Sequence, residues 1–402
     1  MALSVKDNDL LTRVEGGAPM GQMLRENFWF PATIASKLVA GGAPVRVRLI
    51  GEQFVTFRTE DGRVGFFNEA CPHRRASLAL ARNEDNALRC LFHGWKFSVD
   101  GTVLEVPTEP NNRTDFCKKV PFKHYPVREA GGMIWAWLGT SEPKRFPEFE
   151  FNTLPPDRYF VAEQHLPCNW IQDLEGGVDS AHINWLHREV LKGIGIGISL
   201  DDDAPVYDID RTNSGFRYAA IRILKDGSKY IRVNQFVLPF YQFICNEKIP
   251  DGPRLCIISV PTDDTHCVHR IVRYNPFAAL EHDYLNPAGV DPGNFPPLFP
   301  AGENWGQDRG AMAAGHWSGF HHVNTEDFAA AVSQGPITDR SQEYLNSGDR
   351  AVILARKQLL DSVKEFRAGK DVRLAQHDEI PYAQIRPVAD VLPNAAEWRA
   401  IA

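Results

Sequence analysis

An α+β architecture in two parts is what this sequence predicts: a small all-β domain, then a larger domain with an antiparallel β-sheet flanked by helices. Three observations carry that expectation. The chain has 402 residues, more than one hydrophobic core ordinarily holds. Short strand patterns punctuated by turns fill residues 40–140. Strand patterns and helical spacings then occur together through the second half. The expected boundaries are 1–26 for an N-terminal helical lead, 27–145 for the β domain and 146–402 for the larger domain. The Pro- and charge-rich stretch Gly139–Pro147 serves as linker.

Leu10, Leu11, Met20, Met23 and Leu24 mark the helical lead, and the aromatic patch Phe28–Pro31 follows it. Val45–Ile50 alternates apolar and polar residues, as a half-buried strand does. Glu60-Asp61-Gly62 joins Phe54–Phe57 to Val64–Phe67 as a hairpin turn. Further strands are expected at Leu88–Phe97, Val103–Val106 and Met133–Leu138, with Asp100-Gly101 as a turn. In the larger domain Gly215–Leu224, Tyr230–Pro239, Leu255–Val260 and Val268–Tyr274 read as strands of one antiparallel sheet. Asn275–Pro300, rich in Pro, Asn and Gly, reads as a long surface loop. Helix resumes at Thr325–Val332, with Thr325 as its capping candidate, and Asp349–Phe366 carries apolar residues at helical spacing.

Composition narrows the function classes. Hydrophobic content of 43% and charged content of 24% are those of an ordinary globular protein. A net charge of -7 offers no basic face for nucleic acid. The polar start lacks the apolar core of a secretion signal, and no apolar run approaches bilayer length. Seven scattered Cys do not form a disulfide framework. A soluble, cytoplasmic protein is expected.

Two motifs carry chemistry. Cys71-Pro-His73 and Cys90-Leu-Phe-His93 stand sixteen residues apart, each where a strand gives way to a turn. One reading is a structural zinc held by four ligands, although zinc sites more often pair Cys with Cys and His with His. The mixed halves favour the other, a [2Fe-2S] cluster of Rieske type in which Cys71 and Cys90 hold one iron and His73 and His93 the second. Gly94 would allow the backbone close to such a cluster.

The second motif is Asp179-x2-His182-x4-His187, in a stretch that reads as helix. Two imidazoles and a carboxylate form a face for non-haem Fe(II), with the opposite side open to small molecules. Residues five apart lie roughly 140° apart on a regular helix. Convergence therefore requires a distortion, for which a π-type bulge is the expected device. Alone, the pattern also fits partly buried helix His.

With both motifs in this order, the chain resembles the catalytic α subunit of the Rieske non-haem iron ring-hydroxylating oxygenases. Within them it looks like the phthalate dioxygenase-like group, which also holds O-demethylases and N-dealkylases. The likeness runs through Val45–Leu49, Cys71–Arg75, Cys90–Phe97, Tyr125–Gly132, Leu174–His187 and Gly335–Ser341. It implies one Rieske cluster and one mononuclear Fe(II). The third iron ligand it implies is Asp327, with Glu326 as competitor; His321 and His322 receive no ligand role. It also implies that Asp179 bridges His182 to the cluster ligand His93 of a neighbouring subunit, which requires a ring of subunits, a homotrimer in this group. Glu175, one turn before Asp179, can share that face and is a second catalytic candidate lining the iron site or the electron path.

The sequence holds no Gly-rich dinucleotide fingerprint and no second cluster motif, so electrons from NAD(P)H must arrive through a separate reductase, with or without a ferredoxin. O2 and a small aromatic substrate, an aromatic carboxylate of phthalate type, complete the expected reaction. Arg222 and Arg232 are the candidate carboxylate clamp. The alternatives are an O-demethylase or N-dealkylase, a non-catalytic Rieske redox or sensor protein, and a zinc-stabilised binding module.

Overall fold

Turn-punctuated alternation in the first third of the chain gives three small antiparallel sheets, and the longer strands of the second half give one large sheet. The computed structural model describes residues 2–189, 202–245, 252–280 and 298–401. The chain divides into two compact units: Arg25–Phe146, and Met1–Leu24 together with Pro147–Ala402. The N-terminal lead thus joins the larger unit, where helix α1 (Val5–Thr12) packs on the long helix near the C terminus. Helix α2 (Pro19–Asn27) runs across the division.

In the smaller unit, β1 (Trp29–Ile34) pairs with β10 (Met133–Trp137), which pairs with β9 (Val127–Ala130). β2 (Val45–Leu49), β3 (Glu52–Arg58) and β4 (Val64–Asn68) form a meander with the expected hairpin between β3 and β4. The third sheet is β5 (Arg82–Glu84), β6 (Ala87–Arg89), β7 (Lys96–Phe97) and β8 (Val103–Glu105), and helix α3 (Arg113–Lys119) lies against β8. The expected strand Leu88–Phe97 is therefore two short strands with Cys90–His93 looped out between them. Phe57, Phe67, Leu78, Leu88, Phe97 and both Cys71 and Cys90 share one buried cluster. The loops that carry the motif residues are thus rooted in the core.

The larger unit is built on eight antiparallel strands: β11 (Tyr159–Leu166), β12 (Val206–Thr212), β13 (Gly215–Ile223), β14 (Lys229–Val237), β15 (Tyr241–Ile244), β16 (Arg254–Pro261), β17 (Cys267–Tyr274) and β18 (Val388–Leu392). Their order is β11-β17-β16-β15-β14-β13-β12, with β18 beside β14 where β15 has ended. β16 is buried along its whole length. Helix α4 (Trp170–Val178) lies against β15, β16 and β17, and the one-turn helix α5 (Ile183–Leu186) follows it. A Cβ at Gly177 would meet Gln242 Oε1 of β15 at 2.6 Å, so glycine is what permits this approach. After α6 (Arg309–Ala313), α7 (Val323–Ser333) and α8 (Arg350–Arg367) both pack on α4. α7 begins two residues before Thr325, and His322 occupies its N-cap position without a side-chain cap. Most of the expected Asn275–Pro300 loop lies outside the described residues.

Candidate metal centres

Cys71 and Cys90 sit on two loops of the same make. Each cysteine carbonyl accepts from the amide four residues on, Arg75 N at 2.9 Å and Gly94 N at 3.0 Å. Those two residues occupy equivalent places and both have left-handed backbone, φ 63° and 72°. A Cβ at Gly94 would also meet Pro107 Cγ at 2.9 Å, so the glycine answers to its own loop geometry. The loops bring the two thiols together in the core, and neither is in a disulfide. Burial pushes the Cys71 thiol up to about 12, with Cys90 beside it. The imidazoles of His73 and His93 lie at the outer ends, ring centroids 4.4 Å apart. His73 stacks on Trp95 at 4.6 Å, and its buried Nδ1 has no partner.

The residues fit a binuclear cluster. Two adjacent buried thiols, and an orphaned ring nitrogen beside a second imidazole, are donors of the kinds such a cluster takes.

The second group comes from three turns of chain. α4 ends at Asp179, whose ψ of 120° is extended, so the expected π-bulged helix is a helix broken and restarted. His182 precedes α5 and His187 follows it. The break is held from the sheet: Tyr218 of β13 donates its hydroxyl to Val178 O at 2.5 Å, and Arg222 donates to Ser180 O at 2.6 Å. Asp179 is pinned between those two carbonyls. His182 Nε2 and His187 Nε2 then lie 3.2 Å apart, with Asp327 Oδ1 of α7 at 3.5 Å and 3.1 Å from them. Their donor atoms lie close enough together to hold one metal ion. Burial alone would lower His187, but Asp327 and Glu326 raise it to about 10. Burial would raise Asp327, but His187 and His182 hold it below the usual carboxylate range. Two imidazole nitrogens and a carboxylate oxygen within 3.5 Å of one another are a donor set that fits a divalent metal.

Both outer imidazole nitrogens face carboxylates. His182 Nδ1 stands 3.6 Å from Asp179 Oδ2, and His187 Nδ1 stands 2.6 Å from Glu326 Oε2. Burial would raise Asp179, yet His182 keeps it low.

Residues 28–126 match the family model of the Rieske [2Fe-2S] domain, and residues 136–402 match that described as LigXa C-terminal domain like. The oxygenase subunit of phthalate 4,5-dioxygenase from Pseudomonas putida is 38% identical, with 99% of this chain and 94% of that protein covered. The chain belongs to the Rieske non-haem iron oxygenases of the phthalate dioxygenase-like group. The oxygenase subunit of 3-chlorobenzoate-3,4-dioxygenase from Comamonas testosteroni is 31% identical, over 99% of this chain and 97% of that one. That of 5,5'-dehydrodivanillate O-demethylase from Sphingobium sp. is also 31% identical, over 94% and 84%. The fold of this oxygenase is shared with a mutant NdmA of Pseudomonas putida CBB5 with caffeine, at TM-score 0.65 and 20% identity, covering 94% of this chain and 99% of that one. Its cofactors are a Rieske [2Fe-2S] cluster and a mononuclear iron, for which the His182, His187 and Asp327 face is the candidate site.

The oxygenase places its remaining candidates differently. Glu175, expected near the iron or the electron path, forms a bidentate pair with Arg340 at 2.9 Å and meets Arg356 at 2.6 Å. Its carboxylate holds the N-terminal part of α8 and the Gly335–Ser341 segment to α4, which is a structural task. Arg222 and Arg232 point to one face of neighbouring strands, since Arg222 is opposite Tyr230 and Arg232 opposite Ala220. Arg222 is fully buried, with Nε and Nη1 unpartnered, and Arg232 donates to Cys245 O. Among the described residues neither has an ion-pair partner. Burial, then the charge of Arg232, lowers Arg222 to about 10. Trp185 and Trp317 are half-exposed, 5.0 Å apart, with Arg188 over both rings. Sequence reasoning missed Tyr218 and Ser318; no local pattern marks either, because Tyr218 acts on the carbonyl of Val178 in a different element and Ser318 reaches Glu326 only through the turn that leads into α7.

Proposed function

We propose that this oxygenase subunit uses O2 and reductase-delivered electrons to hydroxylate an aromatic carboxylate. The observation that carries the substrate class is the buried pair Arg222 and Arg232, two guanidinium groups on one sheet face with no ion-pair partner among the described residues. Two unpaired buried cations cost several kcal/mol, which a substrate carboxylate would offset. The printed substrates of the phthalate and chlorobenzoate relatives support the same class.

In this reading Cys71 and Cys90 hold one iron of the cluster, and His73, through its orphaned Nδ1, holds the other with His93. His182 and His187 through Nε2, with Asp327 through Oδ1, hold the mononuclear Fe(II). When bound, the cluster supplies single electrons and the mononuclear iron supplies O2 activation. Asp179 anchors His182 and keeps a partly exposed carboxylate able to accept from His93 of a neighbouring copy. A homotrimer joined through that contact is the assembly we propose. Arg232 orients the substrate carboxylate, and Arg222 adds its field while fixing the Ser180 carbonyl. All seven Cys are free, which supports a reducing, cytoplasmic setting.

The 31%-identical O-demethylase relative supports a second reading, oxygen insertion that breaks an aryl methyl ether. Turnover with a surrogate reductase, NADH and labelled O2, on a panel of aromatic acids and their methyl ethers, separates the two. Two labelled oxygens in a ring-hydroxylated acid support dioxygenation; formaldehyde release supports demethylation. Turnover of uncharged aromatics in preference to acids would overturn the carboxylate reading.

A further inference from the structure

Two acids stand side by side on α7, and they face different partners. One helical step turns the side-chain direction by about 100°. Asp327 turns to the imidazole Nε2 atoms, while Glu326 turns to the back of one of those same rings. Glu326 is 1% exposed, and both its oxygens are taken. Oε2 lies 2.6 Å from His187 Nδ1, and Oε1 accepts from Ser318 Oγ at 2.5 Å. A carboxylate on Nδ1 requires a proton there, which leaves the lone pair on Nε2, the atom 3.1 Å from Asp327 and 3.2 Å from His182 Nε2. The two rings are held unequally, since Asp179 stands 3.6 Å behind His182 and both of those side chains are partly exposed.

We propose that Glu326, braced by Ser318, is a positioning residue of the mononuclear centre that fixes the tautomer and ring plane of His187. It has a charge role as well. A divalent cation with one carboxylate ligand leaves a net positive pocket, and the enclosed Glu326 balances it. The inference rests on His182, His187 and Asp327 being the ligands.

The test is Co(II) binding to full-length protein whose mononuclear site has been stripped with a chelator, with the far-UV circular dichroism spectrum and a cooperative thermal melt confirming that each variant is folded. The variants are E326Q, E326A, S318A and D327A. Carboxylates behind ligand imidazoles are worth about 10–100-fold in metal affinity. E326Q keeps an acceptor for Nδ1–H but loses the charge, so it should weaken Co(II) about tenfold and leave the ligand-field spectrum unchanged. E326A should weaken binding about 100-fold and alter the spectrum. S318A, the mildest change, should weaken it a few-fold, and it decides the matter together with E326Q if E326A does not fold. D327A should abolish binding. Wild-type affinity in E326Q and S318A, with D327A inactive in binding, overturns the inference and leaves the ligand assignment standing. Wild-type affinity in D327A with loss in E326A instead makes Glu326 the ligand and overturns both.

Discussion

Burial gives single residues here effects that their types alone do not suggest. Glu175 is enclosed, which by itself would raise its carboxyl, yet Arg340 and Arg356 hold it below 4.5. A depressed folded value means the pair contributes its full stability above about pH 4.5 and loses it as pH falls through the folded value. Glu175→Gln strands two buried arginines, so it should cost about 3–5 kcal/mol at pH 7. Thermal melts of both proteins at pH 7 and in mild acid should show a gap that narrows on acidification; a pH-independent gap would count against the ion pair. Arg232 is the residue on which substrate charge is expected to bear. A charge-assisted hydrogen bond contributes about 1.5–3 kcal/mol, so Arg232→Ala should raise KM for an aromatic acid about tenfold or more with iron content intact. An unchanged KM retires the clamp.

Elements place these residues through their ends and interruptions. The break between α4 and α5 aims three side chains that an unbroken helix would spread around its axis. The break is secured by Tyr218 and Arg222, two residues of one strand four apart on one face. Asp179→Asn should leave both metals bound, since Asp179 is not in the ligand triangle. If Asp179 carries the proposed path between the centres, turnover should still collapse, and stopped-flow reoxidation of the reduced cluster would show the slowed transfer. The cluster loops depend likewise on local backbone. Gly94→Ala meets both a left-handed φ and Pro107 Cγ at 2.9 Å, so it should cost about 1–2 kcal/mol and lower cluster content, read from visible absorbance.

The two candidate metal centres are made by different units of the chain. The proposed head-to-tail contact predicts that subunits lacking only the cluster (Cys71→Ser) and subunits lacking only the mononuclear iron (His182→Ala), each inactive alone, regain activity when assembled together. Recovery tests the route itself, because a path confined within one subunit gains nothing from mixing. A monomeric mass in light scattering, with full activity, would end the trimer proposal.

Local pattern was enough wherever the physics is local. The meander of β2 to β4 follows from alternation and a Gly turn, and the Cys-x-His and Cys-x2-His loops declare their donors within four residues. Strands such as β12 escaped notice because its outward positions carry Asp208 and Asp210, which pair with Arg399 far along the chain. The sequence by itself determined the Cys-x-His and Cys-x2-His pairs, the His182 and His187 motif, and the family. Only tertiary structure decided that α4 breaks at Asp179, that Glu175 binds arginines, and which of Glu326 and Asp327 meets the imidazole Nε2 atoms. Each of those outcomes is set by a partner more than thirty residues away, beyond the reach of any periodicity.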